Sequence, residues 1–266
     1  MVDMNAPEDV YTHGHADSVL RSHRWRTAEN SAGYLLPRLR EDAHLLDVVS
    51  STAGVWCFSS PEDVIAEARA TARLAGVANV EFGVGDVYAL DHEAATFDVV
   101  HAHQVLQHLS DPVAALREMA RVCKPDGLVA VRDSDYSAFT WWPAVPELDD
   151  WLGLYLEVAR GNDAEPDAGR RLKSWARAAG LEVVSSTAGV WCFSSPEDVA
   201  WWGGMWADRI VGSSMADQAL ERGLASAEDL ERLSKGWQRW AGSADAWFVI
   251  LHGELLCSAT PHPDPR

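Results

Sequence analysis

The chain has 266 residues, 47% of them hydrophobic, enough to bury the core of one α/β domain with an appended cap or extension. Its formal net charge of −18 disfavours a nucleic-acid partner, which would need a basic face to displace counterions, and favours a small-molecule substrate; a local patch at His13, His15, Arg21, His23, Arg24 and Arg26 tempers this without reversing it. Four cysteines (Cys57, Cys123, Cys192, Cys257) show no CxxC or other metal spacing, and no apolar run reaches membrane-spanning length, so a reducing cytoplasm, no disulfide framework and no membrane partner are expected.

Residues 1 to 16 are polar, and Met1 to Val10 is acidic without an apolar core. Ser18 to Leu39 has helical periodicity, with Val19, Leu20, Trp25, Tyr34 and Leu35 as buried candidates. His44 to Val49 (HLLDVV) reads as the first strand of a sheet. Residues 48 to 64 (VVSSTAGVWCFSSPEDV) then recur letter for letter at 183 to 199. A structural repeat drifts in sequence and keeps a regular period, whereas one identical distant copy points to a recent duplication, a recombination or an artificial edit. The second copy fits its surroundings better, as a long strand from Leu181 to Phe193, so the first is the intruder. A parallel crossover needs about a dozen residues or more, and the interval from Asp47 to Pro61 has hardly room for a helix and a second strand. Gly54 to Phe58 can form a strand, but a first helix has no place.

Pro61 onward (PEDVIAEARATARLAG) is a helix, with proline and two acids in its first turn and Gly76 after its end. Val80 to Leu90 (VEFGVGDVYAL) reads as a strand followed by an acid, Asp86. Phe97 to His103 is a valine-rich strand suited to burial on both faces. Asp111 and Pro112 open a helix in which Leu116, Met119, Ala120 and Cys123 recur at helical spacing. Lys124-Pro125-Asp126-Gly127 turns the chain, and Leu128 to Val131 is the next buried strand. Ligands of open α/β sheets sit outside the carboxyl ends of the strands. His103, Gln104 and His108 follow one strand there, and Asp133, Ser134, Asp135 and Tyr136 follow the next. His101, His103 and His108 could form a metal site, but no further ligand follows at a suitable spacing, and no metal is expected.

Thr140 to Pro146 reads as a loop, Leu148 to Ala159 as a helix, Asn162 to Gly169 as a polar loop, Arg170 to Ala179 as a helix and Phe248 to Leu256 as the last strand. Eleven of the thirteen tryptophans lie beyond residue 140, either lining an apolar substrate pocket or forming core and the surface of a homodimer.

The run from the FDVV strand through QHL to DPVAALREMARVCKPDGLVAV, together with VEFGVGDVYAL upstream, resembles the class I S-adenosylmethionine-dependent methyltransferases, close to the ubiquinone-biosynthesis (methyltransferase type 11) kind. The resemblance implies an α/β fold: a Rossmann-like, doubly wound, mostly parallel sheet with N-terminal helices and a helical insertion near the C-terminal strands. It divides the chain into an N-terminal helical cap (1–40), a cofactor-binding core (41–136, altered at 48–64), a substrate-covering helical insertion (137–180) and C-terminal strands with tryptophan-rich helices (181–266). It implies S-adenosylmethionine held by Asp47, Gly85, Asp86, Val87, His103 and Gln104, with Asp86 beside the adenine. Tyr11 and Arg26 would close over the ligand if they are not plain surface and packing residues. Methyl transfer needs in-line approach and, for some acceptors, a base; His103, His108, Asp133 and Tyr136 are the catalytic candidates, although Asp133 and Asp135 read equally well as caps of a turn. The family's glycine-rich turn and the acid ending its second strand are missing, and only Gly54 remains, with Ser50, Ser51 and Thr52 as substitute donors. Weak cofactor binding is therefore expected. The alternatives are a non-catalytic methyltransferase-like scaffold and a nucleotide-linked oxidoreductase, although the latter would need a GxGxxG motif that the chain lacks.

Overall fold

A computed structural model describes residues 12, 25–48 and 61–261. Helix α1 (Ala28–Ala32) is capped reciprocally: the Thr27 hydroxyl accepts from the Asn30 amide, and the Asn30 side chain accepts from the Thr27 amide. A 3₁₀ turn at Leu36–Arg38 follows, so within the described residues the long helix expected to end at Leu39 is one short helix and a turn. Val19 and Leu20 lie outside the described residues. Strand β1 (Leu45–Val48) and helix α2 (Pro61–Leu74) stand where the sequence places them, and Gly76 after α2 takes a positive φ of 71° that suits a residue without a β-carbon. The strand expected from Val80 is not formed: Asp86 makes only an isolated bridge with Ala89.

The βαβ unit is present. Strand β2 (Phe97–His103) is buried at nearly every position, as apolar residues without alternation require. Asp111 caps helix α3 (Pro112–Val122) by accepting from Ala114 N at 2.9 Å, and Ala115, Leu116, Met119 and Val122 form its buried stripe. Strand β3 (Cys123–Ser134) begins at once, so the expected turn at 124–127 is absorbed into the strand by a register shift opposite Phe97 and Val99. Where a loop was expected, Thr140–Trp142 is a short strand, β4. Then come α4 (Pro146–Arg160), α5 (Ala168–Ala178), β5 (Leu181–Phe193), α6 (Pro196–Arg209), α7 (Ser214–Glu221), α8 (Ala227–Ala241) and β6 (Trp247–Pro261).

The six strands form one sheet. β1, β2 and β3 pair in parallel, and β6 pairs antiparallel with β3, β4 and β5. Residues 248 and 249 face both β4 and β5, so β3 and β4 follow one another along one edge of β6 and β5 lines the other. Five strands thus share one direction and β6 alone opposes them, giving the mixed, mostly parallel, Rossmann-like sheet with helices around it. The second copy of the repeated segment is β5, and the PEDV end of each copy opens a helix. Trp56 and Cys57 of the first copy, with Gly54, lie outside the described residues.

Two large cores flank this sheet, beside a small cluster of Leu35, Val99, Ala130 and Leu256. One joins α3 and α5 to the strands through Leu116, Met119, Val129, Leu172 and Ala176. The other is aromatic: Trp151, Trp237 and Trp240 gather around Phe248, Trp206 packs on Trp151 and Trp237, and all four tryptophans are fully buried. Most of the tryptophan excess is therefore core. Within 137–180, α4 belongs to the aromatic core and α5 to the sheet core. Among the described residues no helix is long and apolar enough to cross a membrane.

Helices α6 and α8 touch at Gly203, where an added β-carbon would lie 2.6 Å from the Ala241 β-carbon, whereas one on Gly204 would meet nothing within 4 Å. G203A should therefore lose about 1–3 kcal/mol of unfolding free energy and G204A gain up to about 1 kcal/mol, measured by urea denaturation. Equal effects from the two neighbours would show that the helices do not meet as described.

Candidate active site

The parallel register sets Val48 beside Ala102 and His103 beside Arg132, so the carboxyl ends of β1, β2 and β3 come together at one edge. The chain leaves β2 through Gln104, whose φ of 54° is left-handed and whose amide donates to Arg132 O at 2.7 Å. Its side chain is fully used: Arg26 donates to Oε1, while Nε2 donates to Ser134 Oγ at 2.7 Å and lies 3.1 Å from His252 Nε2. A buried 3₁₀ turn, Leu106–His108, follows.

Asp133 is fully buried beneath that turn. Its Oδ1 accepts from Gln107 N at 3.1 Å, its Oδ2 has no hydrogen-bond partner among the described residues, and burial pushes the carboxyl up to about 7. Asp135 accepts from Arg170 N at 3.2 Å and Nε at 2.6 Å, and from Nη2 as well, fixing the start of α5. That start crosses β6 where Gly169 meets Gly253, a contact in which a β-carbon on Gly253 would lie 2.1 Å from a carbonyl oxygen.

His103 is buried with Nδ1 3.5 Å from Arg132 Nη1 and its ring edge-on to Trp191 at 5.5 Å. His101 Nδ1 lies 2.8 Å from Asp47 Oδ1. His108 Nε2 lies 3.0 Å from Gln107 Nε2, so the amide donates to it. The three histidines thus occupy three separate environments. Burial, reinforced by Arg26, pushes His108 down to about 3 and holds His103 and His252 well below the usual imidazole range, with Arg132 adding to the effect on the last two. His103, His108 and His252 are therefore neutral at physiological pH.

A narrow cavity of about 30 Å³ opens at this edge. Gln104, Gln107, His108 and Ser134 give it a polar side, Tyr136, Phe139, Trp191, Trp202 and Trp206 an aromatic one, and Arg26 and Arg209 complete the lining. A model of the methyltransferase domain matches residues 32–180, more than half of the chain. The chain belongs to the methyltransferase family. This methyltransferase is 29% identical to an uncharacterized methyltransferase of Schizosaccharomyces pombe over 95% of its own length and 98% of the relative's. It is 26% identical to a protein of Aspergillus luteorubrus described as a probable methyltransferase, over 92% of this chain and 96% of that one. A ubiquinone biosynthesis O-methyltransferase of Neisseria meningitidis serogroup C is 31% identical over 48% of this chain and 50% of its own.

Of the methyltransferase's expected catalytic residues, His108 and Tyr136 line the cavity, whereas His103 and Asp133 do not. Asp133 holds the turn after β2 and Asp135 the start of α5, so neither side chain caps the turn after its own strand as the alternative reading expected. Of the expected cofactor residues, Asp86 and Gly85 are exposed, with Asp86 Oδ1 accepting from Tyr88 N at 2.9 Å, and Val87 packs against the sheet core. Asp47 keeps half its side chain in solvent. Tyr11, Ser50, Ser51, Thr52 and Gly54 lie outside the described residues. Sequence reading missed Gln107, Arg209 and His252. Gln107 stands inside the QHL segment but was passed over for its histidine neighbour, Arg209 follows Asp208 at the end of a tryptophan-rich helix, and His252 interrupts an apolar strand; the last two have no motif attached.

The buried Asp133 makes a pH prediction. Its folded value near 7 lies above the ordinary 3.8, so the folded state keeps a proton that the unfolded state releases, and stability falls as pH rises between those values, by on the order of 4 kcal/mol in full. The neutral histidines act oppositely, costing stability as pH drops below about 6.5. D133N removes only the first effect. Its melting temperature relative to the parent should rise by several degrees between about pH 5 and pH 8; a constant difference would mean that Asp133 is ionised in the fold.

Proposed function

We propose that the chain transfers a methyl group from S-adenosylmethionine to a small-molecule acceptor and holds that cofactor weakly. The observation that carries the reading is the carboxyl edge itself: a mixed polar and aromatic cavity lies beside β2 and β3, with Asp86 and Asp47 presenting carboxylates to solvent.

The residues fit the adenosine end of the cofactor. Asp86 is an accessible acceptor, Val87 gives an apolar seat continuous with the sheet core, and a β-carbon on Gly85 would meet nothing within 4 Å, so the backbone is open to approach. At the methionine end the fit is poor among the described residues. His103 is enclosed between Arg132 and Trp191, and the Gln104 amide is spent on Arg26, Ser134 and His252. The sequence has no glycine-rich turn to supply backbone donors there. When bound, the cofactor would supply an electrophilic methyl group. The chain's own contribution is to exclude water with its indoles and to orient an acceptor through Gln107, His108, Ser134 and Tyr136. Neutral His108 already accepts from Gln107 through Nε2, and its low basicity leaves it poorly matched to removing a proton at neutral pH.

Losing two or three good hydrogen bonds, one of them charge-assisted, costs on the order of 3–6 kcal/mol and moves a micromolar ligand to millimolar or weaker. Calorimetry should give millimolar affinity for S-adenosylmethionine in this chain, and micromolar affinity in a version with a glycine-rich turn, helix and second strand restored at 48–60. D86N should weaken binding roughly tenfold further. Micromolar affinity in the unrestored chain would overturn the weak-binding claim. No binding in either protein would favour the non-catalytic scaffold.

A further inference from the structure

Among the described residues the sheet ends on three strands, β1, β4 and β5, and these edges are not alike. β1 has four residues and carries Asp47, and β4 has three. Shortness and charge are how natural sheets keep a free edge from pairing with another chain. β5 has thirteen residues and neither protection: between Glu182 and Glu197 the sequence VVSSTAGVWCFSSP holds no charge, and its only proline, Pro196, lies beyond the strand. We propose that β5 of one copy pairs antiparallel, edge to edge, with β5 of a second copy, joining two chains in a two-fold dimer with one continuous sheet.

One side of β5 is bonded to β6. The register shifts lie before Ser185, and from Ser185 opposite Leu256 to Phe193 opposite Phe248 each residue faces one residue of β6. Among the described residues no backbone hydrogen bond reaches the other side of this regular run. An antiparallel strand turns the N–H and C=O groups of alternate residues outward, a ready template for a further strand. The side chains agree. Trp191 and Phe193 are buried against the aromatic core, whereas Ser186, Ala188, Val190 and Cys192 alternate with them and are exposed, Val190 at 56%. Cross-strand neighbours would cover these small and apolar groups.

The second copy is favoured by symmetry, charge and area. An antiparallel strand paired with itself is closed by a two-fold axis, so each copy supplies what the other lacks and assembly stops at two. Two chains of net charge −18 repel over most of their surfaces, and this edge sets no like charges face to face. A basic partner would find no acid along it. An edge of this length is about 30 Å long in a layer about 10 Å thick. Pairing two such edges with their flanking side chains buries on the order of 1,000 Å² in total, the lower bound for a specific interface. The dimer is therefore weak, forming in the micromolar range.

The test is sedimentation velocity of the full chain from micromolar to submillimolar concentration, with amide exchange measured on the same samples. A monomer–dimer equilibrium should appear and tighten with added salt, which screens the repulsion between copies. Exchange in peptides spanning 185–193 should slow as the dimer fraction rises. V190K and S186K each place an ammonium on the edge and should weaken the dimer at least about tenfold, although they make the chain less acidic. Both positions are exposed, near-UV circular dichroism checks the fold, and the exchange measurement needs no substitution. V55K changes the same letter in the first copy of the repeated segment and should leave the dimer intact. A monomer at every concentration, assemblies larger than a dimer, an affinity that falls with salt, unprotected 185–193 in the dimer, or a dimer that survives both V190K and S186K would each overturn the proposal. A dimer dissolved by V55K would overturn it too, and would make the first copy the strand that pairs.

Discussion

Glu254 sits in the middle of β6, directly opposite Arg132 of β3 on one side and Thr187 of β5 on the other. Its carboxylate accepts from Arg132 Nε at 3.2 Å and from Thr187 Oγ1 at 3.0 Å, so one partly buried acid ties the three strands across the sheet. Arg132 is almost completely enclosed and lies 5.1 Å over the Trp191 ring; burial lowers its pKa to about 10, which leaves it charged at neutral pH. An enclosed ion pair is weak evidence for stability, but removing one member strands the other at a cost of about 3–5 kcal/mol. Since β6 is the strand against which β3, β4 and β5 all pair, the sheet's register depends on this crossing being satisfied.

The same crossing sets the character of the site. Arg132 occupies the volume beside His103, and burial, with Arg132 and Arg26 adding to it, keeps His103 and His252 neutral. Asp133, next along the strand, points the other way and holds the turn after β2. The polar residues at the edge are thus divided: His103 and Asp133 shape the interior, while Gln107, His108, Ser134 and Tyr136 face the cavity. All six are buried, so the side chains that line the narrow cavity are held by packing as firmly as those beneath it.

The βαβ unit was legible because each local signal pointed the same way: the unbroken apolar run of β2, the Asp111-Pro112 cap, and the helical stripe from Ala115 to Val122. The long strand β5 was legible for the same reason. The 80–86 stretch failed because a strand needs a partner, and an apolar alternation with two glycines among its residues has no pairing energy of its own. The short β4 was hidden because its pairing is set by β6, far away in sequence. At the site, residue type predicted chemistry but not direction. His103 and Asp133 are bases by composition, and only the packing of Arg132 and of the Gln107 amide shows that both are enclosed. Arg209 carried no motif at all, and its meaning comes from Trp206 and the cavity.

If the carboxyl edge of β1 and β2 is the cofactor edge, occupancy must slow backbone amide exchange there and not across the aromatic core. Hydrogen–deuterium exchange with saturating S-adenosylmethionine should protect peptides spanning 84–90 and 103–109 and leave those of α6 and α8 unchanged. Protection confined to α6 and α8, or none anywhere under saturating ligand, would contradict it.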